Sequence, residues 1–457
     1  MKMNYTKMYE ALRKVLGNEQ IDFAMSAKTS ALIELWSRMY EGRAPWQNAS
    51  ENAELPAAIA GELARLVTLE LQSGVEGSRS ADVLNEIYQG VLGKLRVQTE
   101  YALAKGCMVF KPYISQGGKI FIQYIQADMF FPLDYDSSRI TRCAFIDQFR
   151  RGNDIYTRVE LYSLENEELT IKNRAFVART EGVLGSEVDI STVSRWSELA
   201  AEMKLSGVKK LPIGYFAVPL GNSKDSGSPL GASVYSRAIT QIRDADHRYG
   251  QINWEYDSKE AAIHIAQSLL KYNADNDTYE YPGGKKRLYR SVEYNTGAQD
   301  KPLLDAFSPE IRDASYYNGW NQQMRLIEFR CNLAYGTLSD PNNTDKTAEE
   351  IRASKQRSYT FVSDCQDALQ SALTDLVDAI AFWGRIYQIL PDSEYHLSFQ
   401  WDDSIVVDSK AERDNDRADV AMGVMGLYEY RMKWYGETEE EAKAAIDKIS
   451  STGEVVE

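Results

Sequence analysis

The spacing of apolar residues changes near Gly106, from a helical period to the alternation that is typical of strands. Residues 1 to about 100 carry apolar positions three and four apart, as in 59–67 (IAGELARLV), which predicts amphipathic helices. After Gly106 come short runs rich in β-branched and aromatic residues, of which 155–162 (IYTRVELY) alternates most regularly. Turn residues such as those at 116–118 (QGG) separate the runs. Helices followed by an antiparallel meander predict an α+β first half.

Two long helices around a short insert are predicted for the next part of the chain. Ser228-Pro229 is typical of an N-cap followed by proline at the first helical position. A second cap at 308–310 (SPE) predicts a helix to Tyr335, which Gly336 would end in a left-handed conformation. The insert is predicted to contain one short helix and one strand, over 261–270 and 288–294.

The strongest periodic signal in the chain follows a capping box at 347–350 (TAEE). Ten positions step by four and three from Ile351 to Trp383, and eight of them are apolar or cysteine. This repeat predicts one helix of about 37 residues and 55 Å. A helix of this length packs against many neighbours, either in the core of a large monomer or in an assembly. After it, the sequence predicts strand structure at 396–407 and a charged helical tail over 409–457.

Composition and charge narrow the possible functions. The 457 residues are 44% hydrophobic and 26% charged, which excludes a disordered chain or a collagen. No run of eighteen apolar residues predicts a transmembrane helix, and the charged N-terminus lacks the apolar core of a secretion signal. The net charge of −15 disfavours a protein that grips duplex DNA over its whole face. Four cysteines without a CxxC pair indicate neither a disulfide framework nor a zinc module and fit a reducing compartment.

Sequence motifs for catalysis do not occur. The chain has no GxxxxGK(S/T) loop for phosphate, no GxGxxG and no GxSxG. Residues 283–287 (GGKKR) have the composition of a phosphate loop without its order, and the three histidines, His247, His264 and His396, lie too far apart for zinc spacing. We therefore predict no enzyme activity, no catalytic residue, no metal and no cofactor. A carbohydrate-active enzyme stays open as an alternative, because 67 acidic residues could include a catalytic carboxylate pair.

The two long helices that bracket the insert predict a hairpin. They carry alanine, tyrosine and scattered apolar residues, so that the hairpin buries little surface by itself. It therefore needs neighbours, and copies of the chain around a closed axis would supply them. The 28 tyrosines suit partly hydrated contacts between such copies.

Four segments, in this order along the chain, resemble the portal proteins of tailed bacteriophages, of the type found in siphophages of Gram-positive hosts. The segments are 118–132 (GKIFIQYIQADMFFP), 347–351 (TAEEI), 401–405 (WDDSI) and 429–442 (EYRMKWYGETEEEA). The first is similar to the family's wing-sheet segment. The second is similar to the opening of its long helix, with Glu349 in place of the usual second threonine. The last two are similar to its C-terminal signature.

The resemblance implies an α+β portal fold with wing, stem, clip and crown, assembled as a dodecameric ring. By analogy the chain divides into the wing (1–227), stem helix 1 (228–256), the clip (257–307), stem helix 2 (308–335), the tunnel loop (336–347), the long wing helix with a wing strand (348–408) and the crown (409–457).

The implied function is structural. The ring would occupy one capsid vertex of the virion after assembly in the cytoplasm of the host bacterium, and double-stranded DNA would pass through it without sequence-specific contacts. Further implied partners are the terminase motor, the head–tail adaptor, and the major capsid and scaffolding proteins, with no membrane partner. Another phage head or neck protein is the alternative within the same class.

Two groups of residues are predicted to contact DNA or a partner. The tunnel loop would offer weak contacts to phosphates, from Ser339, Asp340, Asn342, Asn343, Thr344, Asp345 and Lys346. The densest basic group of the clip would dock a partner or contact DNA at the channel entrance, from Lys285, Lys286, Arg287 and Arg290. A solvated turn is the alternative for the basic group.

Overall fold

The computed structural model forms two compact units, one of residues 1–68 and 75–397 and one of residues 69–74 and 398–457. The structure describes residues 5–16, 25–47, 51–69, 71–77, 79–115, 117–136, 139–228, 230–273, 278–280, 288–292, 304–340, 348–391, 394–401, 409–435, 438–439 and 442–446.

Helices and strands alternate in groups along the described residues. The helices are α1 (Tyr5–Leu16), α2 (Ala27–Tyr40), α3 (Leu55–Thr68), α4 (Arg79–Lys105), α5 (Ile239–Ser258), α6 (Asp313–Arg330), α7 (Ala348–Ile386), α8 (Ser409–Ala421) and α9 (Leu427–Tyr435). The strands are β1 (Leu71–Gly77), β2 (Cys107–Ile114), β3 (Ile120–Gln126), β4 (Phe130–Asp136), β5 (Arg139–Arg151), β6 (Asp154–Glu165), β7 (Glu168–Ala178), β8 (Ser186–Val188), β9 (Glu202–Ser206), β10 (Gly214–Ala217), β11 (Ala262–Ala266), β12 (Lys271–Asn273), β13 (Thr278–Glu280), β14 (Tyr289–Val292), β15 (Leu304–Phe307) and β16 (Tyr395–Trp401).

The predicted antiparallel meander is confirmed from β4 onward, in a sheet of order β4-β5-β6-β7-β8 with β9 also paired to β7. The first two strands after Gly106, β2 and β3, pair instead in a separate sheet with β10. Helices α1 to α4 precede it, in the region where the sequence predicts helical structure, and α1 contacts the first strand of the meander. The hydroxyl of Tyr5 in α1 donates to the carbonyl oxygen of Phe130 at 2.7 Å, and its ring stacks on Phe131. The first half of the chain is therefore α+β.

Helix α7 is the predicted long helix, and its 39 residues span about 58 Å. From Ser358 to Trp383 every position of the predicted apolar seam is buried. The seam faces a second sheet, of order β10-β2-β3. Lys210 joins α7 from the loop before β10, with its Nζ 2.5 Å from Asp375 and 2.7 Å from Asp378.

The helix predicted from Ser228 begins only at Ile239, because tertiary contacts engage the chain before it. The amide of Val234 donates to the carbonyl oxygen of Leu103 at 3.0 Å, and residues 230–235 are buried. The predicted helix is therefore present, but its predicted start at the Ser228-Pro229 cap is wrong.

The helix predicted over 308–335 is shorter at both ends, since α6 covers Asp313–Arg330. At its start, the carbonyl oxygen of Glu310 accepts from Lys259 and the amide of Arg312 donates to Glu255, so side chains of α5 and its cap engage this backbone. At its end, Asn332 adopts a left-handed conformation with φ of 58°.

The short helix predicted over 261–270 is wrong, because β11 occupies its first half. β11 pairs in parallel with β14 and antiparallel with β15, which places it at the centre of a three-stranded sheet. The strand predicted over 288–294 is confirmed as β14 from Tyr289 to Val292, and residues 293 and 294 lie outside the described residues. Neighbouring strands from distant positions in the chain thus outweigh the local helical pattern.

The second unit contains α8 and α9. Contacts between charged side chains and aromatic side chains join these two helices. Arg413 and Arg417 each place Nε 3.1 Å from the hydroxyl of Tyr430, and these hydrogen bonds lower the pKa of that phenol. Asp416 pairs with Lys433 at 2.7 Å and accepts from the indole of Trp434. The helical tail predicted for this region is confirmed over the described residues. None of the described helices combines the length and apolarity needed to cross a bilayer.

Candidate stem hairpin and tunnel loop

Helices α5 and α6 form the antiparallel hairpin that the sequence predicts. Gln323 donates from Nε2 to the carbonyl oxygen of Gln241 at 2.9 Å, and Arg248 donates from Nη1 to the carbonyl oxygen of Gly319 at 3.0 Å. A later residue of α5 therefore meets an earlier residue of α6, which is the pattern of antiparallel helices.

The end of the hairpin next to the insert is fastened by Glu255. Its carboxylate accepts from the guanidinium of Arg312 at 2.9 Å and from the ammonium of Lys259 at 2.7 Å. Arg312 contributes most and Lys259 next, and together they lower the pKa of Glu255 to about 2. The two helices are thus tied together where the chain leaves for the insert.

The insert is small and built mainly from strands. Its described residues form the β14-β11-β15 sheet and the antiparallel pair β12 and β13. Arg290 lies in β14, exposed, with its guanidinium 5.9 Å from the ring centroid of Phe307 in β15. The other predicted basic residues, Lys285, Lys286 and Arg287, lie outside the described residues, so that whether the four form one group stays a prediction.

At the opposite end of the hairpin, the chain after α6 folds back onto the helix that it has just left. Glu328 is fully buried, and one of its carboxylate oxygens accepts from the amides of Gly336 (3.1 Å), Leu338 (2.6 Å) and Ser339 (2.8 Å). The other oxygen accepts from the hydroxyl of Ser339 at 2.9 Å. Further along α6, the Oδ1 of Asn321 accepts from the amide of Asp340 at 2.7 Å.

These contacts correct one part of the predicted tunnel loop. Ser339 is 4% exposed and its hydroxyl donates to Glu328, so the prediction that Ser339 contacts DNA is wrong for this conformation. Asp340 is exposed. The remaining predicted loop residues, Asn342, Asn343, Thr344, Asp345 and Lys346, lie outside the described residues.

The hairpin presents large apolar side chains to solvent. Trp254 of α5 is 70% exposed, and Leu326 and Phe329 of α6 are 51% and 54% exposed. Its buried positions include polar residues such as Asn321 and Gln323. These exposed side chains agree with the prediction that the hairpin buries little apolar surface by itself, and they are candidates for contact with a neighbour.

Sequence reasoning missed the residues that hold the chain at both ends of the hairpin. Asn321, Met324 and Glu328 follow helical spacing on the buried face of α6. A carboxylate within an apolar stripe is a usable signal, because a buried charge needs hydrogen-bond partners. Its partners here are mostly backbone amides, which no side-chain motif reports.

Other charged groups of the first unit form ion pairs within the fold. Lys111 pairs with Glu160 at 2.6 Å in a buried position beside a cleft of about 760 Å³ between the two sheets. Asp128 pairs with Lys105 at 2.6 Å. Among the residues that the structure describes, no group of three His, Cys, Asp or Glu side chains is arranged to hold a metal ion.

A family model described as "Phage portal protein, SPP1 Gp6-like" matches residues 95–454. Curated protein sequences gave no significant match. Fifty-two solved chains match. One is described as "Neck of native GTA particle computed with C12 symmetry"; it is 12% identical, with a TM-score of 0.45, and the match covers 93% of this chain and 98% of that chain.

Proposed function

The chain belongs to the phage portal protein family of the SPP1 Gp6-like type, and on this premise we propose that it is the subunit of the ring at one vertex of a phage capsid. Twelve copies would enclose the channel through which double-stranded DNA enters during packaging and leaves during ejection. The ring has no catalytic activity of its own in this proposal, and a separate terminase motor supplies the energy.

The single observation that carries the proposal is the hairpin within the family match. Residues 95–454 include α5, α6 and α7, and the hairpin exposes Trp254, Leu326 and Phe329. Exposed apolar side chains of this size on the hairpin favour burial against another chain. In a closed ring each hairpin has two neighbours, which would cover both flanks.

The charge of the chain suits a channel that lets DNA slide. Twelve copies at −15 each carry roughly −180, so the average field repels a polyanion. We propose that the tunnel loop makes the weak contacts, through Asp340 and through Asn342, Asn343, Thr344, Asp345 and Lys346. One lysine per loop gives little of the salt-dependent grip of an arginine cluster.

The other parts follow from the same proposal. Residues 257–307 would be the clip, which docks first the terminase motor and later the head–tail adaptor. The wing would meet the major capsid and scaffolding proteins, and residues 409–457 would form the crown. Assembly would take place in the cytoplasm of the host bacterium, and no membrane partner is proposed.

The oligomeric state of the full-length protein tests the ring. Native mass spectrometry is expected to find a particle of about 620 kDa for twelve copies of the 51.8 kDa chain, and end-on electron micrographs should show a ring with a central channel. A lone monomer with a compact outline would contradict the proposal.

A matched pair of variants tests whether the hairpin forms the contact between copies. Leu326→Glu places a charge on the exposed face of α6 and should shift the mass towards monomers. Val183→Glu also replaces an exposed aliphatic residue by glutamate, at a loop position that is 48% exposed, and should leave the ring intact. Equal behaviour of the two variants would count against the hairpin as the interface.

The clip assignment has its own test. Reversal of charge at Lys285, Lys286, Arg287 and Arg290 should weaken terminase binding or DNA packaging while rings still form. Unchanged binding and packaging would support the solvated-turn alternative instead.

A further inference from the structure

A cleft of about 760 Å³ lies between the two sheets of the first unit, and the proposed function leaves it without a role. Strands β2 and β3 line one side, and β5, β6 and β7 line the other. The loop before β9 and the C-terminal end of α7 complete the lining. The volume lies within the range of about 300–1,000 Å³ that is usual for ligand sites, so the cleft has room for several side chains of a ligand.

Large apolar side chains that line the cleft are open to solvent. Tyr113 of β2 is 45% exposed, Leu199 before β9 is 39% exposed, and Tyr387 after α7 is 48% exposed. Exposed apolar groups gathered around a cavity mark sites that bind ligands or other proteins. We therefore expect the ligand of this cleft to carry apolar side chains of its own.

Two cations share one carboxylate in the buried part of the cleft. The Nζ of Lys111 lies 2.6 Å from Oε2 of Glu160, and the Nη2 of Arg158 lies 3.2 Å from the same oxygen. The side chains of Lys111, Arg158 and Glu160 are 5%, 17% and 10% exposed. One positive charge is thus left over at a place where solvent screens it little, and a carboxylate on a ligand would neutralise it.

The other charged residues of the lining lie nearer to solvent. Asp147 accepts from Arg195 at 3.4 Å and from the indole of Trp196 at 3.1 Å, and with the arginine it forms a neutral pair. Glu198 is exposed, where water and salt weaken its field. Arg158 is therefore the cation that a carboxylate would meet in the buried part of the cleft.

Three polar side chains of the lining have a buried atom without a hydrogen-bond partner among the residues that the structure describes. The atoms are the Nε of Arg158, the Nε1 of Trp383 and the Oδ1 of Asn173, which are two donors and one acceptor. They are closed to solvent in this conformation, so each would meet a ligand only after its side chain rotates. Because a buried polar atom without a partner is costly, a ligand that supplies the partner favours such a rotation. A peptide supplies both kinds of partner, since it carries carbonyl acceptors and amide donors.

We propose that the cleft binds an extended peptide segment of another protein, with a carboxylate that pairs with Arg158 and apolar side chains that pack on Tyr113 and Tyr387. The exposed apolar residues favour a peptide over a small anion, and the surplus charge at Arg158 favours an acidic one. The proposal goes beyond the proposed function and does not depend on the formation of a ring.

Binding of a synthetic peptide by the full-length protein tests the cleft. One peptide, blocked at both ends, carries a glutamate between two leucines, and the matched peptide carries a glutamine instead. Isothermal titration calorimetry should show that the glutamate peptide binds about tenfold or more tightly, as expected for a charge-assisted hydrogen bond in a partly buried site. Equal affinities of the two peptides, or no binding of either, would overturn the proposal.

A matched pair of arginine variants locates the charge that the peptide meets. Arg158→Gln should remove the preference for the glutamate peptide. Arg174→Gln also removes a guanidinium that pairs with a glutamate, Glu187, but Arg174 is not among the lining residues, so this variant should keep the preference. The same preference in both variants would overturn the proposal.

A second pair keeps the test decisive should Arg158→Gln fail to fold. Tyr387 and Ile386 are neighbours in sequence and are 48% and 43% exposed, and of the two Tyr387 lines the cleft. Tyr387→Ala should weaken binding of the glutamate peptide by about fivefold or more, as loss of an aromatic contact does, whereas Ile386→Ala should bind like wild type. Equal affinities of these two variants would contradict the proposed site.

The alternative occupant of the cleft is a second copy of this chain. Binding of the glutamate peptide by monomers of Leu326→Glu, with none by the assembled wild type, would place a second copy in the cleft and overturn the proposal. Binding by both forms would support a separate partner. A wild type that forms no ring but binds the glutamate peptide preferentially would refute the proposed function and leave the cleft proposal standing.

Discussion

Gly214 in β10 lies so close to Ala372 in α7 that a Cβ atom on the glycine would be 2.4 Å from the carbonyl oxygen of the alanine. The same Cβ would be 2.9 Å from the Cβ of Leu376. The long helix and the β10-β2-β3 sheet thus approach at a point where only glycine fits.

Gly214→Ala should therefore destabilise the first unit by about 2–3 kcal/mol, as overpacking of a dense core does. Urea unfolding of both variants at the same protein concentration would measure the loss, since any self-association makes the measured stability depend on concentration. Gly93→Ala in α4 is the control, because nothing lies within 4 Å of its Cβ position and alanine favours a helix by about 0.8–1 kcal/mol. Similar losses in both variants would contradict the close approach.

Helix α7 was predictable because its signal is local. The seam from Ser358 to Trp383 repeats over many turns, and each residue adds to the same periodic pattern. Strand β10 was not predicted. It has four residues, and it is a strand only because it pairs with β2, more than a hundred positions earlier. Four residues are too few to show the alternation of apolar and polar residues that indicates a strand, and its pairing partner is too distant in the sequence to suggest a hairpin.

Removal of Lys111 should be costly, because it leaves the buried carboxylate of Glu160 without its nearest cation. Lys111→Met is expected to destabilise the protein by about 3–5 kcal/mol, the usual cost of breaking a buried pair. Urea unfolding would show this, and Lys111→Met with Glu160→Gln should recover much of the loss.

The control for that pair is a surface ion pair in the sheet that contains Glu160. Arg174 and Glu187 lie 2.8 Å apart with side chains 26% and 51% exposed. Arg174→Met should cost about 1 kcal/mol or less, as surface pairs do. A loss from Lys111→Met no larger than this would show that the buried pair contributes little.

The hairpin was predictable from the sequence, and the way in which its ends are held was not. Helical spacing on both sides of the insert indicated two helices packed against each other. The bounds of α6 shifted because Lys259 and Glu255 engage the backbone at Glu310 and Arg312. Such side-chain contacts with a backbone carbonyl or amide depend on the tertiary structure, and they produce no regular spacing of residues that the sequence could reveal.

Acid should weaken the end of the hairpin next to the insert. Arg312 and Lys259 hold the pKa of Glu255 at about 2 in the folded protein, well below the ordinary value of 4.5. A group with a lowered folded pKa stabilises the fold at neutral pH and loses this contribution as the pH falls from about 4.5 through 2.

The melting temperature of Glu255→Gln should thus lie below that of wild type at neutral pH, and the difference should shrink as the pH falls below about 4. Glu10→Gln makes the same change of charge at an exposed position of α1 and should melt like wild type at neutral pH. A difference for Glu255→Gln that is constant with pH would show that the ion pair is not its cause.

The thiols should report unfolding. Cys107, Cys143, Cys331 and Cys365 are all buried, and burial raises their pKa values, that of Cys107 to about 12. Because the thiolate is the reactive form, a disulfide reagent at about pH 8 should label the folded protein slowly and label four thiols rapidly in urea. Raising the pH to about 9 should speed labelling in urea and change it little in the folded state. Rapid labelling of one thiol in the folded protein would contradict this packing, and mass spectrometry of the labelled peptides would identify which cysteine is open.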